Sequence, residues 1–230
     1  MKEKIASFCK KYKHALLLLY FFIYLPWFSS LEYFCTDYSI VHITLDDKIP
    51  FIEAFVIPYY IWFVFVAATV VFMLFFDKAE YYRICAFLFI GMTVCLIIYT
   101  IWPNGQDLRP NLDTLGRSNI FTRMVGFIYS HDTCTNACPS IHVFNSIGCA
   151  VAIMHSQKLK GHNIIRYGSI VLAILISLST VFIKQHSAFD VMWASVLAII
   201  MYIIVYIPDY SKTRIKNIER KAARKKSAKI

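Results

Sequence analysis

Six apolar runs limit what this chain can fold into. They read as Ala15 to Phe34, Phe55 to Phe76, Tyr82 to Ile101, Ser140 to His155, Ile164 to Ile183 and Asp190 to Ile207. About 20 apolar residues let one helix cross the hydrocarbon core of a bilayer. The expected fold is therefore all-α, a polytopic membrane bundle of six transmembrane helices, with the fourth run the shortest. Composition agrees, since 58% of the 230 residues are hydrophobic and mean hydropathy is +0.55, values foreign to soluble domains. Lys2, Lys4, Lys10, Lys11 and Lys13 before the first run resemble the charged start of a signal peptide. The run is long and aromatic and lacks a small-residue cleavage site, so it reads as a span. The chain divides into a basic lead (1–14), a membrane domain (15–208) and a basic tail (209–230).

Orientation follows from the cations. The N-terminal lysines, Lys78, Arg83, Lys158, Lys160, Arg166 and the Lys and Arg residues of the tail fall on one side, against Lys48, Arg109, Arg117, Arg123 and Lys184 on the other. Cytoplasmic loops collect Lys and Arg, so both termini are expected in the cytoplasm of a bacterial cell, with the multi-pass domain in its membrane. The net charge of +10 lies largely in the tail, and attraction to anionic headgroups accounts for it better than nucleic-acid binding does. Pro58 is expected to kink the second span, and Glu32 and Glu53 are read as interfacial.

Chemistry concentrates in two polar clusters at span mouths on the non-cytoplasmic side. In Ser179-Thr180-Val181-Phe182-Ile183-Lys184-Gln185-His186-Ser187-Ala188-Phe189-Asp190, His186 and Asp190 stand four apart and share one face if the segment is helical. Asp190 then holds one ring nitrogen of His186 and leaves the other as nucleophile or base. The plainer alternative is a buried pair satisfying two polar groups. The second cluster, Cys138-Pro139-Ser140-Ile141-His142, brings another histidine, and Pro139 suits the first turn of a helix whose amide N–H groups would face an anion.

The loop from Trp102 to Cys138 carries Gln106, Arg109-Pro110, Asn111, Asp113, Arg117, Asn119, Arg123, His131 and Asp132. Three arginines on the cation-poor side suggest an anionic ligand, since guanidinium groups grip phosphoryl oxygens. Cys134, Cys138 and His142 recur at every fourth residue, but Pro139 interrupts a common helix and a fourth ligand is missing. A Cys134–Cys138 disulfide or two plain thiols is expected rather than a metal.

Together the motifs resemble the type 2 phosphatidic acid phosphatase superfamily, whose pattern is Lys-x6-Arg-Pro, Pro-Ser-x-His and Ser-Arg-x5-His-x3-Asp. Here Pro139-Ser140-Ile141-His142 is complete, Ser179-Thr180-x5-His186-x3-Asp190 is present with one change, and Arg109-Pro110 is half of the first motif. The resemblance implies an acid-phosphatase-like core, His186 as a nucleophile that forms a phosphohistidine, Asp190 as its orienting carboxylate and His142 as the acid for the leaving alkoxide. It also implies a phosphoryl pocket of Arg109 and Ser140, with no cofactor and no metal. Trp102 replaces the lysine of the first motif and Thr180 the arginine of the third. Lys184 is the nearest substitute cation, and Ser179 and Thr180 complete the expected phosphoryl-binding set. This variant is similar to the inositol phosphorylceramide synthase branch, so the acceptor is open between water and an alcohol. The implied substrate is a lipid phosphate taken from the membrane. A non-enzymatic transporter of anions or lipids is the rival from another class. Oligomeric state is not indicated.

Overall fold

The computed structural model describes residues 11–208, so residues 1–10 of the basic lead and the whole tail, 209–230, lie outside the described residues. The fold is a helical bundle. α1 occupies Lys13–Phe34, opening as a 3-10 helix over Lys13–Tyr20. α2 is Val56–Phe76, preceded by a short 3-10 turn, Glu53–Phe55, and α3 is Lys78–Ile101. α4 is Ile120–His131, α5 is Ile141–His155, α6 is Asn163–Phe182 and α7 is Ala188–Val205. Two-residue strands, β1 (Ser39–Ile40) and β2 (Asn104–Gly105), pair in parallel with Ser39 opposite Asn104.

Five helices are long and apolar enough to cross a membrane: Lys13–Phe34, Glu53–Phe76, Lys78–Ile101, Asn163–Phe182 and Ala188–Val205. The run expected as the fourth span is a helix of 15 residues, about 22 Å at 1.5 Å per residue, short of a bilayer core. Its setting explains the length. α5 packs against α2, α3, α6 and α7, and Val143, Phe144, Asn145, Ser146, Cys149 and Ala152 are all buried. A helix sheathed by others need not match the lipid thickness.

Between apolar helices in lipid, association rests on close fit rather than on water release. α3 and α5 show this fit. Phe87 of α3 and Phe144 of α5 stack with centroids 5.0 Å apart, each lying over a glycine of the other helix. A Cβ on Gly91 would come within 1.9 Å of the Phe144 ring, and one on Gly148 within 2.7 Å of Phe87.

Several local expectations change. Pro58 stands in the first turn of α2, where its missing N–H leaves nothing unpaired, so it starts the helix instead of kinking it. Pro26 is the proline inside a helix, in α1. α3 begins at Lys78, four residues before the expected Tyr82, because the Asp77 carboxylate caps it by accepting the Glu80 N–H at 3.2 Å. α4 rises from the long loop between Trp102 and Cys138. Asn119 accepts the Phe121 and Thr122 N–H groups while Thr122 Oγ1 accepts the Asn119 N–H, a reciprocal cap. Its buried Val125 and Ile128 close over Val56, Tyr59 and Ile183 at one end of the bundle.

Candidate active site

The α1, α3 and α6 C-termini and the α2, α5 and α7 N-termini meet at that same end, and there the two polar clusters converge. α7 starts behind Ser187, whose Oγ accepts the Phe189 N–H at 3.1 Å while Asp190 Oδ2 accepts the Ser187 N–H at 3.0 Å. That cap fixes Asp190 one turn inside the helix, fully buried. The same Oδ2 lies 3.2 Å from His186 Nδ1. A carboxylate accepts, so the hydrogen of His186 sits on Nδ1 and Nε2 carries the lone pair. Nε2 faces His142 Nδ1 at 3.3 Å. His142 belongs to the first turn of α5, and its ring lies between Tyr59 and Trp62 of α2, with centroids at 4.7 and 4.3 Å.

Hydrogen bonds outside the imidazoles fix their spacing. Ser140 N–H donates to the Asp190 carbonyl at 3.3 Å, joining the start of α5 to that of α7. Tyr99 OH donates to the Pro139 carbonyl at 2.6 Å. Asn104, fully buried, accepts the Ala137 and Cys138 N–H groups at 3.0 and 2.7 Å and donates to the Trp102 and Cys138 carbonyls, both at 3.0 Å. Asp46, from the loop after β1, accepts from Ser187 Oγ at 2.6 Å and from Ala188 N at 2.8 Å. Tyr99, Asn104 and Asp46 carry no motif, and the sequence reading missed them.

A cavity of about 400 Å³ opens onto the pair. His142, His186, Gln185, Asp132, Asn136 and Glu32 line its polar end, and Tyr24, Leu25, Phe28, Trp62 and Phe63 line the part between α1 and α2. Burial holds the Asp132 carboxyl above its ordinary range.

The residues expected to bind a phosphoryl group are placed otherwise. Arg109 donates to the carbonyls of Tyr129, Asp132 and Thr133 and to Gln185 Oε1, with its guanidinium 4.6 Å from the Tyr129 ring centroid. It clamps the cavity loop from behind. Lys184, at φ 55° and 8% exposed, donates to the Asp46 and Ile49 carbonyls at 2.8 and 2.6 Å. Ser140 caps α5 and is fully buried. The Ser179 and Thr180 hydroxyls donate back to the Ile176 and Ser177 carbonyls, while the Thr180 carbonyl accepts the Gln185 and His186 N–H groups. None of these five lines the cavity. Arg117 pairs with Glu53 at 2.8 Å and Arg123 is exposed on α4, so the three loop arginines do not converge. Cys134 and Cys138 are separate thiols. Burial, with Asp190 alongside, raises the Cys138 pKa. Glu32, read as interfacial, belongs to the cavity wall and accepts from Thr133 Oγ1 at 2.7 Å.

An imidazole held by a buried carboxylate, facing a second imidazole at the mouth of an apolar helical bundle, defines a class: membrane-type helical proteins whose site can supply a nucleophile and a general acid. The comparison with known families is narrower. Residues 104–213, a segment that carries both histidines and Asp190, match the family model described as the PAP2 superfamily. Its members are usually phosphoesterases. No curated protein and no solved structure matches the chain.

Proposed function

We propose that the protein is a membrane lipid phosphatase or phosphotransferase working through a phosphohistidine on His186. The observation that carries this is the relay Asp190 Oδ2, His186 Nδ1, His186 Nε2, His142 Nδ1, with contacts of 3.2 and 3.3 Å. The His186 Nε2 lone pair attacks phosphorus as the ester P–O bond breaks. Protonated His142 gives its proton to the leaving oxygen. An incoming water or alcohol then returns a proton to His142 as its oxygen bonds phosphorus and the N–P bond breaks, restoring both rings. Asp190 holds the Nδ1 hydrogen and offsets the positive charge that His186 develops. The acid–base part is worth roughly 100-fold to 10,000-fold.

α5 serves as the fourth of six spans, both termini are cytoplasmic, and the site faces the other side of the membrane. The apolar wall between α1 and α2 takes the lipid tails. An alcohol acceptor is the second reading, favoured by Trp102 and Thr180, which stand where plain phosphatases of this pattern carry cations. Acid quench after mixing with a panel of labelled lipid phosphomonoesters and phosphodiesters should trap an acid-labile phosphoenzyme in the native protein and none in His186→Ala. Undiminished product release by His186→Ala rules the mechanism out.

A further inference from the structure

Phosphate pockets are ordinarily lined with cations, yet among the described residues no Lys or Arg side chain lines this cavity. Its acidic walls are the carboxyl groups of Asp132 and Glu32. Asp132 Oδ2 accepts from Tyr59 OH and Gln185 Nε2, while no donor among the described residues is hydrogen-bonded to its Oδ1. Glu32 stands on the facing helix, α1. Asn136, only 6% exposed, also lines the cavity, and its Oδ1 is buried without a hydrogen-bond partner. The rings of Tyr24, Phe28, Tyr59, Trp62 and Phe63 line the same cavity.

Carboxylates and an orphan acceptor among aromatic faces recognise a cation, and most readily an alkylated ammonium. Resting on the phosphoester reading above, we propose that the substrate is a phosphodiester whose head group carries an ammonium nitrogen, an amino-alcohol ester of a lipid phosphate. The singly charged phosphoryl group lies against the two imidazoles. The nitrogen lies against Glu32, Asp132 and Asn136, with aromatic rings on its remaining sides. A doubly charged monoester would instead set two negative charges beside two carboxylates in a poorly solvated cleft, with imidazoles alone to offset them. The missing cations and the added carboxylates thus have one cause: part of the counter-charge arrives with the ligand.

The test is binding without turnover. His186→Ala in maltoside micelles is titrated with hexadecylphosphocholine and with its uncharged carbon isostere, hexadecyl 3,3-dimethylbutyl phosphate, and the ligand-dependent rise in melting temperature is read. The choline ester should bind about tenfold tighter, the scale of a desolvated cation held among aromatic faces. Adding Glu32→Gln or Asp132→Asn should pull that ratio toward one while affinity for the isostere holds, which also shows that the variants remain folded. Equal affinity for the two amphiphiles, or a ratio that survives both substitutions, overturns the proposal. A native protein that forms no phosphohistidine counts against the catalytic reading alone.

Discussion

Replacing Asn104 with alanine tests how the site is built. The side chain is fully buried and makes four hydrogen bonds, to two N–H groups and two carbonyls of the segments that lead into and out of the long loop. Asn104→Ala leaves the Ala137 and Cys138 N–H groups without acceptors. An orphaned buried group is worth about 1–3 kcal/mol, so the two N–H groups set a loss of about 2–6 kcal/mol. Asn104→Asp keeps both acceptor bonds and gives up the two donors, so it should fall between the native protein and the alanine variant. Because the Cys138-Pro139-Ser140 segment delivers His142, turnover should fall at least about tenfold along with stability. Reversible unfolding in mixed micelles gives the first number and phosphate release the second. An alanine variant within about 1 kcal/mol of the native protein, with unchanged turnover, would refute the view that this buried amide sets the position of the acid.

Two further outcomes follow from groups near the site. Lys184→Met should lower stability by roughly 2–3 kcal/mol, the scale of charged hydrogen bonds, and leave KM within about twofold, since its ammonium serves the Asp46 and Ile49 carbonyls; a tenfold rise in KM with stability intact would return Lys184 to the phosphoryl group. His42 contacts Asp47 at 2.8 Å and Asp107 at 3.3 Å, and the Asp47 hydrogen bond leads in raising its pKa. A raised folded value means that the imidazolium stabilises fully below about pH 6.5 and that this contribution fades as pH climbs through the folded value. The melting-temperature gap between native protein and His42→Gln should therefore be widest at acid pH and close toward pH 8.5; a gap independent of pH would contradict it.

The positions of the long helices and the two histidine clusters were legible because apolar run length and the four-residue spacing of His186 and Asp190 map directly onto helix geometry. α4 was overlooked because Val125 and Ile128 sit among polar neighbours in a loop, although the spacing of Asn119 and Thr122 was a readable cap. Side-chain direction was not legible. Ser179 and Thr180 have the position of ligands, but inside a helix a hydroxyl finds its own backbone carbonyl three residues earlier. Arg109 has the charge of a ligand but meets the Tyr129, Asp132 and Thr133 carbonyls first. Asp46 caps α7 from 141 residues away in sequence, a pairing that no local pattern announces.

The bond from the Ser140 amide to the Asp190 carbonyl makes the two histidine-bearing helix starts a single mechanical unit. Sequence drift that tilts one of these helices drags its neighbour with it. The gap between the rings is thereby insulated from change elsewhere, while the opposite wall, on α1 and α2, remains free to be recut for a different lipid.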